Sequence, residues 1–258
     1  MIMKTFNFTT VYVLWLREMK KFVRNRSRVA GSLAMPLMFL FFFGFGFSGI
    51  SVPGAPEGIS YVQFLIPGII GMGLLFSSTF AGLSVLLDRQ FGFLKEIMVA
   101  PVTRISIVMG RTAGAITTGL IQALAILAIS LAFQLKAISL TQLGILVAFM
   151  VLTVTAFIGV GLIFASRMKD PQGFNIIMNF LILPLFFLSG AIFPLSNLPA
   201  AAQYISYADP LTYGVDGMRA ALIGASFLPI WTDFLVLLAF SGVMLFLGAY
   251  FFEKSESV

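Results

Sequence analysis

The residues of this sequence that could take part in chemistry are few, and their types exclude most catalytic sites. The chain has no histidine and no cysteine, which excludes Ser-His-Asp triads, cysteine nucleophiles and metal sites that depend on either residue. No serine within a long apolar stretch has a histidine or lysine beside it. The phosphate-binding sequence G-x-x-x-x-G-K-[ST] is also absent. We therefore expect no catalytic residue, no metal site and no bound cofactor in this chain.

The charged residues that remain lie in short clusters between long apolar stretches. Of the 258 residues, 10% are charged and 59% are hydrophobic, whereas a soluble domain has about 25% charged residues. Because a membrane-spanning helix needs about 20 mostly apolar residues, each uncharged run predicts one span. The fifth run is broken by prolines from residue 194 onward, so its span is placed near Phe174–Phe193. The six runs are Val29–Pro56, Gly58–Leu87, Thr112–Leu135, Ala137–Ser166, Pro171–Ala208 and Phe234–Phe252.

These runs predict an all-α, polytopic membrane protein with six transmembrane helices in a single domain, residues 1–258. Backbone polar groups in lipid must be hydrogen-bonded within a helix or a closed barrel, and the short alternating segments of a barrel are absent. The uncharged runs contain no ionisable acid or base that would relay protons, which counts against a proton-coupled carrier. Gly110 and Gly114 form a GxxxG pair at the start of the third span, a weak indication of a helix contact.

The placement of the basic residues predicts that both termini face the cytoplasm. Six spans put both termini on one side, and 14 of the 16 basic residues fall on that side; Lys136 and Arg219 are the exceptions. An excess of lysine and arginine marks the cytoplasmic side of a membrane protein. The net charge of +6 then divides into +8 inside and −2 outside. We interpret this distribution of charge as a topology signal and a cytoplasmic docking surface, and it does not require nucleic acid as a partner.

Residues 5–28 predict an amphipathic helix that lies at the membrane surface. Five apolar residues recur at steps of three and four and therefore share one helical face: Phe8, Tyr12, Trp15, Met19 and Phe22. Basic residues occupy the opposite face, which is expected to meet anionic lipid headgroups or a protein partner. A plain juxtamembrane anchor is the alternative. The contact residues are expected to be Arg17, Lys20, Lys21 and Arg24.

Two further segments differ from the spans in composition. Residues 88–104 are too charged to enter the bilayer and too apolar for a solvated linker, and a short amphipathic helix ended by Pro101 is expected there. Such a helix can dock onto another protein; an interfacial loop helix without a partner is the alternative. Residues 194–231 are rich in turn residues and predict a re-entrant external segment before the last span. Asp216 and Arg219, at i and i+3, are expected to form a structural pair.

Three motifs, in this order and spacing, resemble those of the membrane subunit of a type-2 ABC transporter, the permease family of drug, lipo-oligosaccharide and polysaccharide exporters. The first is Tyr61–Gly68, with the sequence YVQFLIPG, at the start of the second span. The second is residues 88–104, which resemble the cytoplasmic coupling segment of the drug-exporter branch. The third resembles the C-terminal signature of the family and comprises Ser189, Gly190, Pro194, Pro199, Asp209–Tyr213 and Arg219.

The resemblance implies an ATP-driven multidrug-type exporter in the inner (cytoplasmic) cell membrane. An amphipathic, drug-like or lipid-linked substrate would move outward between two permease copies, identical or paralogous. Two separate ATP-binding cassette subunits would hold ATP and Mg. The ATPase-coupling residues would be Asp88, Arg89, Phe91, Gly92, Phe93, Leu94, Lys95, Glu96, Pro101 and Arg104. The external gate would comprise Pro194, Pro199, Pro210, Tyr213, Asp216 and Arg219.

Two other functions compete with this one. A nucleotide-independent secondary carrier or channel would transport without a partner ATPase, and a membrane scaffold would not transport at all.

Overall fold

The computed structural model describes residues 7–47, 59–92, 103–131 and 138–255, and within these ranges all regular structure is helical. The predicted all-α class is therefore confirmed. A short 3-10 helix, Leu195–Asn197, stands between the sixth and seventh α-helices. The α-helices are α1 (Phe8–Arg24), α2 (Arg26–Gly46), α3 (Tyr61–Gln90), α4 (Arg104–Leu131), α5 (Leu140–Arg167), α6 (Pro171–Leu188), α7 (Ala200–Ala208), α8 (Pro210–Ile223) and α9 (Ile230–Ser255).

Six of the described helices are long and apolar enough to cross a membrane, which confirms the predicted number of spans. The spanning segments are Val29–Gly46, Tyr61–Gln90, Ile105–Leu131, Leu140–Arg167, Pro171–Leu188 and Ile230–Phe252. The fifth span ends earlier than predicted because Gly190 adopts a left-handed conformation with φ of 74°, which terminates a helix. Helix α3 continues through Asp88 to Gln90, and α4 carries Arg111 two turns inside its start, so both helices include charged residues that the sequence pattern placed in a loop.

Polar caps fix where three of the spans begin. Ser60 and Ser139 each form a capping box with the glutamine three residues later, at the starts of α3 and α5. The carboxylate of Asp170 accepts hydrogen bonds from the backbone N–H groups of Gln172 and Gly173, 3.1 and 2.7 Å away, before Pro171 opens α6. These caps satisfy N–H groups that the helices themselves cannot bond.

Helix α3 is the centre of the bundle and contacts α2, α4, α5, α6 and α8. Within its spanning segment 78% of the residues are buried, compared with 22% for α2, 22% for α6 and 17% for α9. Helices α2, α6 and α9 therefore expose most of their apolar surface on the outside of the bundle. Large aromatic side chains dominate that surface on α2 and α6, among them Phe42, Phe45 and Phe180.

Helices α5 and α9 pack together through glycine. A Cβ atom added to Gly159 would collide with the backbone of Met244, and one added to Gly248 would lie 2.9 Å from the Gly159 carbonyl oxygen. Small residues allow such a close backbone approach between helices in a membrane. The two helices consequently form a tightly packed pair, against which α8 also packs.

The bundle has two distinct ends. The α1 end holds α1, the last turns of α3 and α5, and the last turn of α9, where the guanidinium carbon of Arg167 lies 4.5 Å from the centre of the Phe251 ring. The α8 end holds α7 and α8, and there the hydroxyl group of Tyr61 donates to the Ile192 carbonyl 3.1 Å away. The predicted external segment, residues 194–231, thus contains the 3-10 helix, α7, α8 and the start of α9, and α8 is buried along most of its length.

Candidate functional site

The first candidate site is a group of charged side chains at the α1 end, here called the Asp88 cluster: Arg17, Lys21, Asp88 and Arg111. Asp88 stands in the last turn of α3 and is only 7% exposed. Two guanidinium nitrogens of Arg17 donate to its two carboxylate oxygens, each at 2.8 Å. Lys21 Nζ donates to the same carboxylate at 3.1 and 3.3 Å. A bidentate arginine–carboxylate pair is one of the stronger polar contacts in proteins, so α1 is held firmly to α3.

Arg111 brings a third positive charge to this carboxylate from α4. Its Nη2 lies 2.9 Å from Asp88 Oδ2, and the arginine is 5% exposed. The contact is an ion pair without hydrogen-bond geometry, and no acceptor among the described residues hydrogen-bonds the Arg111 guanidinium. Glu18 lies 3.5 Å from Lys21 and adds a second carboxylate at the edge. One buried carboxylate of α3 therefore joins positive charges from two other helices, α1 and α4.

Helix α1 docks on α4 over the GxxxG pair. A Cβ atom at Gly110 would lie 2.9 Å from Leu14 Cβ, and one at Gly114 would lie 2.7 Å from Glu18 Cβ. The indole N–H of Trp15 donates to Thr117 Oγ1 at 3.0 Å on the same face. The glycines, which the sequence indicated only weakly as a helix contact, thus provide the flat surface that receives α1.

The basic residues of α1 divide into two pairs. Arg17 and Lys21 bind Asp88 within the chain, because a buried carboxylate requires compensating charge, and their predicted contact with lipid headgroups or a partner stays a prediction. Lys20 and Arg24 are exposed. Together with Arg17 and Lys21 they line a cleft of about 1450 Å³ between α1, α2 and α3, whose other wall includes Leu87, Asp88 and Phe91. This cleft combines positive charge with an apolar wall.

The predicted coupling segment is described only at its two ends. Arg89 donates to the Ser166 carbonyl at 3.1 Å, and Gln90 donates to the Lys169 carbonyl at 2.6 Å, so the end of α3 is also tied to the end of α5. Phe91 follows with its side chain 81% exposed, and Gly92 adopts a φ of 76°. Arg104 is the first residue of α4. Outside the described residues lie Phe93, Leu94, Lys95, Glu96 and Pro101.

The second candidate site surrounds Arg219 at the α8 end. Arg219 is 1% exposed, and its Nη2 donates to the Gly190 carbonyl at 2.7 Å. Its guanidinium carbon lies 4.0 Å from the centre of the Phe64 ring, a cation–π contact with α3. Asp216 Oδ1 lies 3.6 Å from Arg219 Nη1, which confirms the expected i, i+3 pair. One arginine of α8 thereby links the start of α3 to the turn after α6.

Asp216 binds the loop that precedes α9. Its carboxylate accepts hydrogen bonds from the backbone N–H groups of Phe227 and Leu228, both at 2.9 Å. Burial raises the pKa of Asp216, while these two hydrogen bonds and the Arg219 charge oppose the rise. Burial likewise raises the pKa of Asp209 to about 8, although the Leu211 N–H opposes the rise. Both carboxyl groups therefore lie in an environment that disfavours charge.

The other predicted gate residues shape the backbone of this end. Pro194 and Pro199 directly precede the 3-10 helix and α7, and Pro210 is the first residue of α8. The hydroxyl of Tyr213 donates to the Tyr207 carbonyl at 2.6 Å and so ties α8 to α7. Asp233 was not singled out from the sequence, yet its carboxylate is fully buried next to that of Asp216.

The two sites are suited to holding helices in a given arrangement. Each places one charged group at the junction of several helices, where a change of that group would alter several contacts together. Among the described residues, no group of three or more histidine, cysteine, aspartate or glutamate side chains forms a metal site.

The chain is similar in sequence to known membrane permeases. The family model described as "ABC-2 type transporter" matches residues 9–223. The inner membrane transport permease YadH of Escherichia coli (strain K12) is 29% identical over 233 residues, which cover 88% of each chain. Nodulation protein J of Rhizobium meliloti (strain 1021) is 31% identical over 209 residues, which cover 76% of this chain and 74% of that protein. The resemblance inferred from the three motifs is confirmed, and the chain belongs to the ABC-2 type transporter family as a membrane permease subunit.

Proposed function

We propose that this permease is part of an ATP-driven exporter that carries an amphipathic, drug-like or lipid-linked substrate outward along a path between two permease copies. Two ATP-binding cassette subunits, which hold ATP and Mg, dock at the α1 end. The observation that supports this most directly is the Asp88 cluster. It joins α1, α3 and α4 at the residue where the proposed coupling segment, 88–104, begins.

The proposed orientation places the α1 end in the cytoplasm. Positively charged side chains gather there, and the excess of lysine and arginine on one side of a membrane protein favours that side as the cytoplasmic one. Lys20 and Arg24 are exposed at this end, where an ATPase subunit or an anionic headgroup would meet them. The α8 end then faces outward, and the Arg219 contacts hold the proposed external gate.

The proposed coupling works by a shift in populations. A partner changes the equilibrium between two conformations only if it binds one of them more tightly. Closure of the ATPase subunits would displace residues 88–104, and Asp88 would pass that displacement to α1 and α4. Because Arg89 and Gln90 hold the end of α5, the same displacement would also reach the α5–α9 pair.

The surfaces of α2 and α6 support a path between two copies. Phe39 of α2 and Phe186 of α6 are in edge-to-face contact, with ring centres 5.9 Å apart, so the two helices are neighbours. Phe42, Phe45 and Phe180 lie on them with exposures of 69%, 67% and 80%. Exposed aromatic side chains on two neighbouring spans suit contact with a second copy or with the apolar part of a substrate.

Reconstitution tests the proposal. The permease is co-expressed with a P-loop ATPase from the same genome, purified and placed in liposomes. We expect a stable complex, and transport of a fluorescent amphipathic probe that requires ATP and stops when the catalytic glutamate of the ATPase is replaced. Transport by the permease alone, without nucleotide, would instead identify a secondary carrier or channel. Absence of transport under every form of energisation would identify a scaffold.

Phe91 provides a sharper test of the coupling segment. We expect Phe91→Ala to lower ATP-dependent transport about tenfold, because loss of one large buried aromatic contact at an interface costs about 1.4 kcal/mol or more. Membrane insertion and basal ATP hydrolysis should remain unchanged. Leu140→Ala is the matched control, since Leu140 is 86% exposed and lies at the start of α5, at the opposite end of the bundle. Equal transport by the wild-type protein and both variants would argue against coupling through Phe91.

A further inference from the structure

A second apolar recess, distinct from the two sites above, lies between α4 and α9 and is here called the α4–α9 groove. Its volume is about 610 Å³, within the range of about 300–1,000 Å³ that is typical of ligand sites. The walls are formed by Val108, Met109 and Ala113 of α4, and by Leu245, Phe246 and Tyr250 of α9. The groove exists because α4 and α9 hardly touch, while α9 packs on α5 and α8.

Small residues keep the groove open. Gly242 and Ala249 of α9 and Ala113 of α4 are among the residues that line it, and none of them has a side chain large enough to fill the space between the helices. A Cβ atom at Gly242 would meet nothing within 4 Å. Gly242 also differs from Gly248 of the same helix, where an added Cβ would press on α5.

The groove belongs to the half of the bundle near the α1 end. Its α4 wall begins at Ile105, the first residue of that spanning segment, and its α9 wall ends at Tyr250, close to the last. Both helices are membrane spans, so the groove opens onto the hydrocarbon of one leaflet. Apolar walls that face an empty space lose dispersion contacts, and an acyl chain is the apolar molecule present there at high concentration.

A positive charge near one end of the groove, that of Lys254, favours an anionic lipid. Gly242, Phe246 and Tyr250 recur at steps of four along α9, and Lys254 continues the same stripe one turn later. Lys254 is exposed at the membrane end of the helix, where a lysine reaches the headgroup layer. A chain in the groove would therefore place a lipid phosphate near Lys254.

We propose that the α4–α9 groove binds one acyl chain of an anionic phospholipid from the leaflet at the α1 end, with the phosphate near Lys254. The site lies apart from the proposed substrate path along α2 and α6, and it does not depend on the ATP-driven transport proposed above. A lipid held there would fill the gap that the fold leaves between α4 and α9.

Photolabelling in nanodiscs tests the site. The full chain is placed in nanodiscs that contain phosphatidylglycerol with a diazirine in its acyl chain, and the labelled peptides are identified by mass spectrometry. We expect label on the peptides that contain Met109 and Phe246. Gly242→Leu, which fills the groove, should reduce that label about tenfold, equivalent to about 1.4 kcal/mol. Gly144→Leu is the control, because Gly144 is an exposed glycine of α5 with equally open space.

The headgroup contact is tested separately. With phosphatidylcholine and phosphatidylglycerol probes in competition, Lys254→Gln should reduce the preference for phosphatidylglycerol at the groove, whereas Lys169→Gln, at the same end of the bundle, should not. Unchanged groove label in Gly242→Leu, or label spread equally to the exposed aromatic residues of α2 and α6, would refute the site. So would a wild-type groove that takes no label and instead cross-links to a second copy of the chain.

Discussion

Asp88→Asn is expected to destabilise the protein by about 3–5 kcal/mol, because it removes the carboxylate shared by the buried Arg111 and the half-buried Arg17 and Lys21. Arg17 and Lys21 would lose their hydrogen-bonded counter-charge, and Arg111 would remain 5% exposed beside a neutral amide. The measurement is the midpoint of thermal unfolding of the purified protein in detergent. Because the three helices would separate at this point, ATP-dependent transport should fall with it.

The same chain supplies a matched control for Asp88. Asp170→Asn makes the same substitution at the same end of the bundle, but Asp170 caps α6 through two backbone N–H groups. Asparagine caps a helix about as well as aspartate, so this variant should unfold close to the wild-type temperature. Adding Arg111→Met to Asp88→Asn should recover part of the loss, since it removes the buried unpaired charge. Additive effects of the two substitutions would show that the two residues are not coupled.

Arg219→Met is expected to have the second large effect, a loss of about 3–5 kcal/mol, because it leaves Asp216 buried without its cation. The variant also loses the hydrogen bond to the Gly190 carbonyl and the contact with the Phe64 ring. The stability of Arg219→Lys should lie between that of the wild type and that of Arg219→Met, because lysine keeps the charge but lacks the flat guanidinium that stacks on the ring. The midpoint of thermal unfolding is measured for the wild type, Arg219→Met and Arg219→Lys.

Arg167→Met is the control for Arg219. Arg167 also lies over an aromatic ring, that of Phe251, but it is exposed. An exposed cation–π contact contributes about 0.5–1 kcal/mol, so the control should be nearly as stable as the wild type. If Arg219→Met unfolded at the same temperature as this control, the Arg219 contacts would not hold the α8 end together.

The sequence predicted the spans well because their signal is local. Each of the six apolar runs is long enough by itself to specify a helix, and the order of three short motifs identified the family. The pairing of the buried charges of the Asp88 cluster, by contrast, could not be predicted from the sequence. Arg111 lies in the first turns of an apolar helix, and nothing near it in the sequence shows that its counter-charge is Asp88. Arg17 and Lys21 match a surface helix equally well, because periodicity defines a face but not what lies opposite it.

The structure of residues 194–231, the predicted external segment, could be anticipated only in part for a related reason. The prolines and Asp209 mark helix starts in a recognisable way, and the i, i+3 pair follows from spacing alone. The burial of α8 depends on glycines that allow it to approach α5: a Cβ atom at Gly214 would press on Thr153, and one at Gly217 would collide with Phe149. Such fits between distant segments are not visible in a single sequence.

The Asp88 cluster also sets an order of assembly during synthesis. Arg17 and Asp88 are 71 residues apart in the chain, and a ribosome that adds about 5–20 residues per second needs about 4–14 s for that distance. Helix α1 is therefore made with its positive charges uncompensated, at the stage when such charges orient the first spans. Its docking surface, Gly110 and Gly114, is made later still. Helix α1 can consequently reach its final place only after α3 and α4 have been synthesised, and until then its basic residues lack the carboxylate of Asp88.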